Sequence, residues 1–248
     1  MGGTSGIGRA CVEQFLEQGC SVVAVGKGSA HVTALIEEVG ACAQLTVLRA
    51  DCSTRVGCDE VVRAVGERFG HLDVLVNAFG VLRLGGVAET DAEDWDLVMH
   101  TNVSGVFHMT QAAIPLLERS STGPTIVNIS SSCTARPCPS ASYTVSKAAV
   151  EMFTTCAARD LAPKGIRVNA VAPGLTESNM QIAAGAFADS VERDAFLQEK
   201  REEFPLGRTG VAQDTANAVA FLASAQSSWT TGAILRVDGG ISSTGGWR

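Results

Sequence analysis

Short β-branched runs alternate with helical stretches along nearly the whole chain. No other feature restricts the fold as much. Ser21 to Gly26, Leu45 to Ala50, Leu72 to Val76, Thr125 to Ile129, Ile166 to Val171 and Ile234 to Val237 read as strands. Apolar residues at helical spacing mark Ile7 to Gln18, Val32 to Val39, a stretch capped by Ser53 and running to Phe69, Ala92 to Arg119, the segment around Tyr143, and Thr215 to Ala223. Strand–helix–strand repetition implies parallel strands, because a crossover must return the chain to the same direction. The strands lack strict in–out alternation, which fits burial on both faces. The fold class predicted is therefore α/β: a doubly wound parallel sheet with helices on both faces. A single domain accounts for all 248 residues.

The chain opens Met1-Gly2-Gly3-Thr4-Ser5-Gly6-Ile7-Gly8 and passes straight into the first helix. A helix N-terminus offers free N–H groups and a positive dipole end, and glycines let a pyrophosphate approach the backbone. A loop needing positive φ is an equally good account of such a turn taken alone. Lys27 follows the first strand, where dinucleotide-binding folds that prefer NAD put an acidic residue. A cation there suits a 2′-phosphate and favours NADP(H) over NAD(H), the alternative being a solvated surface lysine. Asp51 ends the next strand, on the side where open parallel sheets gather ligands.

Tyr143 is the chain's one tyrosine, and Lys147 stands four residues later. On a helix the two share a face, and a nearby cation draws a phenol's pKa down toward working pH. Such a tyrosine exchanges a proton with a carbonyl or alcohol oxygen. Taken alone, Y-x-x-x-K is common by chance. Asn102 interrupts a long helical stretch, which suggests a kink or a polar task.

Composition narrows the function. A net charge of −7 disfavours a nucleic-acid or anionic-membrane partner. No apolar run is long enough for a membrane span, and no signal-peptide pattern opens the chain. The eight cysteines show no C-x-x-C pattern and read as small buried thiols of a reducing compartment, so the expected location is cytoplasmic. No metal site is expected.

Taken together, these segments resemble the short-chain dehydrogenase/reductase family, in its compact single-domain branch with a Rossmann-like fold. The likeness runs from residue 1 to about 242. It rests on the glycine turn, Asp51-Cys52, Asn77-Ala78-Phe79-Gly80, Asn102, Ile129-Ser130-Ser131, Tyr143 to Lys147, Pro173 to Ser178 and Asp238-Gly239-Gly240. The resemblance implies a hydride-transferring enzyme that interconverts a secondary alcohol and a ketone. It makes Tyr143 the general acid/base and Lys147 the group that lowers its pKa and holds the nicotinamide ribose. Ser131 would stabilise the substrate oxygen, with Ser130 the alternative, and Asn102 would hold a relay water. The cofactor would be held by Gly2, Ser5, Gly6, Ile7, Gly8, Lys27, Asp51, Cys52, Asn77, Ala78, Gly80, Tyr143, Lys147, Pro173, Gly174, Thr176 and Ser178. Residues 177–206 would form a mobile helical lid. The implied partners are a small carbonyl or alcohol substrate and further copies of the chain, in a homodimer or homotetramer.

Three departures stand out. An apolar strand normally precedes the glycine turn and lies centrally in the sheet. Without it, its neighbours are expected to lack a ladder partner and to expose apolar surface, so this form is expected to be either part of a longer chain or unstable. Phe79 replaces a small residue, to crowd the cofactor or turn into the core. Thr176 replaces an apolar residue near the carboxamide. The competing reading is a non-catalytic nucleotide-binding relative.

Overall fold

The structure, a computed structural model, describes residues 1–40 and 42–243; residues 244–248, the end of the predicted domain, lie outside it. In chain order the elements are α1 (Gly6–Glu17), β1 (Val22–Gly26), α2 (Ser29–Val39), β2 (Leu45–Arg49), α3 (Arg55–Phe69), β3 (Val74–Asn77) and α4 (Ala92–Met99). Then come α5 (Gly105–Leu117), β4 (Thr125–Ile129), α6 (Ala141–Leu161), β5 (Arg167–Pro173), α7 (Met180–Ala183), α8 (Ser190–Lys200), α9 (Ala212–Ala223) and β6 (Ile234–Val237). Every strand pairing is parallel.

Successive strand residues feed opposite layers. Ile126 packs with Val61, Met109 and Leu117 from α3 and α5, while its neighbour Val127 packs with Ala10, Val219 and Leu222 from α1 and α9. This gives helices on both faces, as the alternation predicts. Each fully buried aliphatic side chain stabilises the fold by roughly 1.5–3 kcal/mol.

Two local readings are corrected. Thr54, not Ser53, caps α3: its hydroxyl accepts from Gly57 N, while Ser53 turns its hydroxyl to Asp51. The long helix predicted over 92–119 is two helices, α4 and α5, joined by one π-helical turn, His100–Ser104. Asn102 sits in that turn, fully buried. A π turn widens the helix by one residue per turn and turns a side chain inward, which is the polar task the sequence hinted at.

The sheet is in two pieces. β1 pairs with β2, while β3, β4, β5 and β6 form a second sheet in that order. Between β1 and β3 lies a cavity of about 380 Å³, walled by Val22 and Val23 on one side, Val74 and Val76 on the other, and Phe15 and Val62 from the flanking helices. Among the described residues, the first three bond across this gap. Gly3 N donates to Val25 O (3.0 Å), the Met1 amine to Val76 O (2.7 Å), and Ala78 N to Met1 O (3.1 Å). Burial pushes the pKa of that amine down, and the neighbouring thiols work against the shift. The facing edges of β1 and β3 are thus joined at their C-terminal ends and open elsewhere, as the sequence led us to expect. The joined end is the one that carries the ligand-binding loops of a parallel sheet.

Candidate active site

The catalytic candidates converge from three elements at the C-terminal ends of β3 and β4. Tyr143 and Lys147 stand one turn apart on α6, whose N-cap Ser140 accepts from Tyr143 N. The Lys147 ammonium lies 5.6 Å from the Tyr143 ring centroid and donates to Ile129 O at 2.8 Å. Ser131 stands two residues past the end of β4, where its hydroxyl acts to lower the Tyr143 pKa and accepts from Cys133 N at 3.2 Å. Ser130 faces elsewhere: its hydroxyl donates to Glu151 Oε1 at 2.8 Å and approaches Lys147 O. The geometry therefore puts Ser131 rather than Ser130 beside the tyrosine.

Asn102 holds this cluster to the neighbouring loop. Its Oδ1 accepts from Val81 N (2.8 Å), and its Nδ2 donates to Val81 O (2.9 Å) and Ser146 Oγ (3.0 Å). Ser146 in turn donates to Tyr143 O at 2.7 Å. Gly80 keeps the adjoining space open. A Cβ built there would stand 3.0 Å from Asn102 Oδ1 and 3.5 Å from Lys147 Nζ.

Electrostatics depart from one expectation. Burial pushes the half-buried Tyr143 phenol up, helped by Cys133 and Cys138, and the Ser131 hydrogen bond opposes this. Lys147 was expected to draw it down. The ammonium is spent instead on the Ile129 carbonyl, and burial lowers its own pKa to about 8. The pair is thus poised with a neutral phenol and a readily deprotonated amine.

The predicted cofactor residues divide into two groups. Gly2, Ser5, Gly6, Ile7 and Gly8 form an open cradle at the start of α1. Gly2 and Gly6 adopt positive φ (69° and 50°), which suits glycine. A Cβ on Gly8 would sit 2.0 Å from Gly2 O, so only glycine permits this turn. Ser5 and Gly6 are exposed, and no acidic side chain occupies the first turn of α1. Ser178 overhangs the turn, with its Cβ 3.9 Å from where a Cβ on Gly6 would lie. This cradle of N–H groups fits an anionic diphosphate. Lys27 and Asp51 meet across the ends of β1 and β2, Nζ to Oδ2 at 2.8 Å. Burial alone would raise Asp51, but hydrogen bonds from Lys27 and Ser53 bring its pKa below the usual value. Ala78 and Gly80 line the loop after β3. Pro173 ends β5 and Gly174 follows it; Gly174 N donates to Val237 O, and Thr176 donates to Gly174 O.

Two of the predicted residues point away. Asn77 donates across the ladder to its register partner Asn128 at 2.9 Å, inside the sheet. The Cys52 thiol lies in the core against Met1 and Cys58. Phe79 resolves its ambiguity toward the core: its ring lies against Gly105, where an added Cβ would meet it at 2.8 Å.

Three contributors escaped sequence reasoning. Ser146 and Glu151 lie three and eight residues after Tyr143, so helical spacing alone would have found them. Arg193 gave no signal. Its buried guanidinium, on α8, reaches Glu177 (3.3 Å), Asn179 (3.1 Å) and Asp194 (2.6 Å), tying the predicted lid to the loop after β5.

Known proteins share this architecture. Residues 2–242 match the family model described as enoyl-(acyl carrier protein) reductase. The chain is 35% identical to a 3-oxoacyl-(acyl-carrier-protein) reductase of Thermotoga maritima, covering 97% of this chain and 95% of that one. It is 37% identical to the like-named protein of Staphylococcus aureus, with the same coverage. Among solved structures, a 3-ketoacyl-(acyl-carrier-protein) reductase from Brucella melitensis complexed with NADH superposes with TM-score 0.87 at 32% identity, over 97% of this chain and 96% of that one. An aldohexose dehydrogenase from Thermoplasma acidophilum superposes with TM-score 0.87 at 30% identity, over 100% and 94%. With this agreement of sequence, fold and site geometry, the chain belongs to the short-chain dehydrogenase/reductase family of oxidoreductases.

Proposed function

We propose that the chain is an NADP(H)-preferring ketoreductase that reduces a 3-oxoacyl thioester to the secondary alcohol. The observation that carries this is the convergence of Ser131, Tyr143 and Lys147 around one small space beside Asn102 and Gly80. The nicotinamide, when bound, supplies the hydride for the carbonyl carbon. The chain supplies position and proton chemistry. Ser131 donates to the substrate oxygen as charge develops on it. Tyr143, neutral at working pH, gives its proton to that oxygen. Lys147 stabilises the phenolate so formed. A water at Asn102 Oδ1, in the space that Gly80 leaves open, refills the proton.

NADP(H) preference rests on Lys27, an exposed cation at the end of β1. Asp51 competes for it, so the preference is a matter of degree. The 3-oxoacyl class rests on the two bacterial relatives. A sugar substrate is the second reading, favoured by the likeness to the aldohexose dehydrogenase. No helix among the described residues is long and apolar enough to cross a membrane, and we place the protein in the cytoplasm. Exposed Phe107, Val145 and Met152 on α5 and α6 support assembly into a homodimer or homotetramer, which sedimentation would check. The whole chain acts in this reading as one catalytic and binding domain.

The test is nucleotide turnover with an acetoacetyl thioester and with an aldohexose, each with NADPH/NADP and NADH/NAD. Turnover of the thioester, faster with NADPH, is expected. Turnover of the sugar alone would favour the second reading. Cofactor binding without turnover of any carbonyl would favour a non-catalytic relative.

A further inference from the structure

Glu151 is a half-buried carboxylate that the proposed reaction does not use. It stands on α6, one helical turn past Lys147 and two past Tyr143. One of its oxygens, Oε1, accepts from two hydroxyls: Ser130 Oγ at 2.8 Å and Thr134 Oγ1 at 2.8 Å. Those two residues lie on either side of Ser131. Thr134 also grips Ser131 itself, donating to its carbonyl from the backbone N at 3.2 Å and from the hydroxyl at 3.0 Å. Ser130 N donates to Val171 O at 2.8 Å, which ties the start of the segment to β5. Past that bond the sheet no longer holds the chain, and the carboxylate fastens it to the tyrosine helix from both flanks of Ser131.

We propose that Glu151 is a positioning residue: by clamping Ser130 and Thr134 to α6, it sets where the Ser131 hydroxyl stands relative to the Tyr143 phenol. In the ketoreductase reading, on which this rests, Ser131 and Tyr143 must both reach one substrate oxygen. They belong to different elements, a loop after β4 and a helix, so nothing in the local backbone fixes their separation. Groups that act on one atom have to be held to a fraction of an ångström, and a 1 Å misplacement costs up to about a hundredfold in rate. Glu151 acts through Ser131 and takes no part in the proton transfer.

A carboxylate suits this task. It accepts without donating, one oxygen offers two lone pairs, and hydroxyl bonds to an ionised acceptor are about twice as strong as bonds between neutral groups. Without it each hydroxyl keeps a second acceptor. Ser130 Oγ retains its longer contact to Lys147 O at 3.3 Å, and Thr134 Oγ1 retains Ser131 O. Neither group is left unpaired, so the fold survives the loss. What is lost is the tie between Thr134 and α6, together with the shorter of the two Ser130 bonds to that helix. The loop is then free to shift against Tyr143.

The experiment is a double-mutant cycle between Glu151→Leu and Ser131→Ala on the full chain, reading turnover of an acetoacetyl thioester with NADPH and the dissociation constant for NADPH. Glu151→Leu alone is expected to lower kcat about five- to twentyfold and to leave NADPH affinity within about twofold. In the Ser131→Ala background it is expected to cost less than about a further twofold, because the hydroxyl it positions is gone. Equal losses in both backgrounds would overturn the proposal. Glu151→Gln keeps an accepting oxygen and is expected to stay within about threefold of wild type; a Gln variant as slow as the Leu variant would overturn the hydrogen-bond clamp. Thr134→Val breaks one arm and leaves α6 intact. Its smaller loss, also absent without the Ser131 hydroxyl, carries the test if Glu151→Leu does not fold. Amide hydrogen exchange supplies a readout free of turnover. Exchange over residues 131–136 is expected to quicken in Glu151→Leu while β4 stays protected, and unchanged exchange there would overturn the clamp. Quickened exchange in a chain whose wild type reduces no carbonyl would count against the ketoreductase reading and leave the clamp standing.

Discussion

The two pieces of the sheet carry different kinds of work. β4 is buried along its whole length and β5 nearly so, and the loops at their ends hold the Ser131, Tyr143 and Lys147 cluster. β1 is buried only in its last three residues, and β2 not at all. Those two strands support the glycine cradle and the Lys27–Asp51 pair. The contrast separates two chemical demands. Proton transfer needs side chains placed to a fraction of an ångström, so its supports are dry and close-packed. Gripping a diphosphate relies on backbone N–H groups and a surface cation, which tolerate a looser foundation. The gap between β1 and β3 falls on the looser side, and Met1 to Gly3 close it only where the cradle begins.

The contrast breaks first under stability measurements. Ile126→Ala removes a fully buried side chain from the tight half and is expected to cost about 2–5 kcal/mol. Val23→Ala removes a half-buried side chain at the edge of the cavity and is expected to cost under about 1 kcal/mol, since part of its surface is already outside close packing. Denaturant titration of both variants checks this, and equal costs would mean that β1 is as well supported as β4.

The next effect is on rate. Lys147→Met is expected to lower turnover about a hundredfold, in the range of a lost acid–base contribution, with the melting temperature unchanged or raised. The sign of the stability change depends on pH. Burial lowers the folded Lys147 pKa to about 8 from an ordinary 10.5, so the folded state binds fewer protons than the unfolded state between these values. The charged amine therefore destabilises the fold fully below pH 8, and the penalty fades as pH rises toward 10.5. Melting curves of wild type and Lys147→Met are expected to converge over that window; a constant separation would mean that the amine stays protonated.

The smallest effect belongs to the loose half. Lys27→Ala is expected to weaken NADPH binding about five- to tenfold and to leave NADH binding within about twofold, consistent with one exposed charge contact. Calorimetric titration of both nucleotides checks this. Equal losses for the two would assign Lys27 a structural role through Asp51.

The sequence made the fold legible because alternation, glycine turns and β-branched strands are local signals that the parallel sheet obeys. Thr125–Ile129 and Ile234–Val237 match the predicted strands end to end. The site was legible where a motif marks it. It was not where long-range partners decide. Asn77 and Cys52 read as nucleotide contacts in the linear chain; in the structure their side chains bond Asn128 across the ladder and Met1, partners that the linear chain does not show. The direction of the Tyr143 shift was missed for the same reason: i,i+4 spacing brings Lys147 close, but the Ile129 carbonyl on another element takes its charge. Glu151, eight residues along the helix from Tyr143, takes the Ser130 hydroxyl, which supports Ser131 as the serine of the proposed site.

The measurement that tests the account most directly is the rate of NADPH oxidation with an acetoacetyl thioester, wild type against Tyr143→Phe, with nucleotide affinity measured alongside. The substitution removes one hydroxyl and leaves the ring and its packing. We predict a loss of at least about a hundredfold in turnover, with the dissociation constant for NADPH changed by less than about threefold. A variant that retains most of the wild-type rate would contradict the assignment of Tyr143 as the proton donor and, with it, the reading of this buried cluster as the catalytic centre.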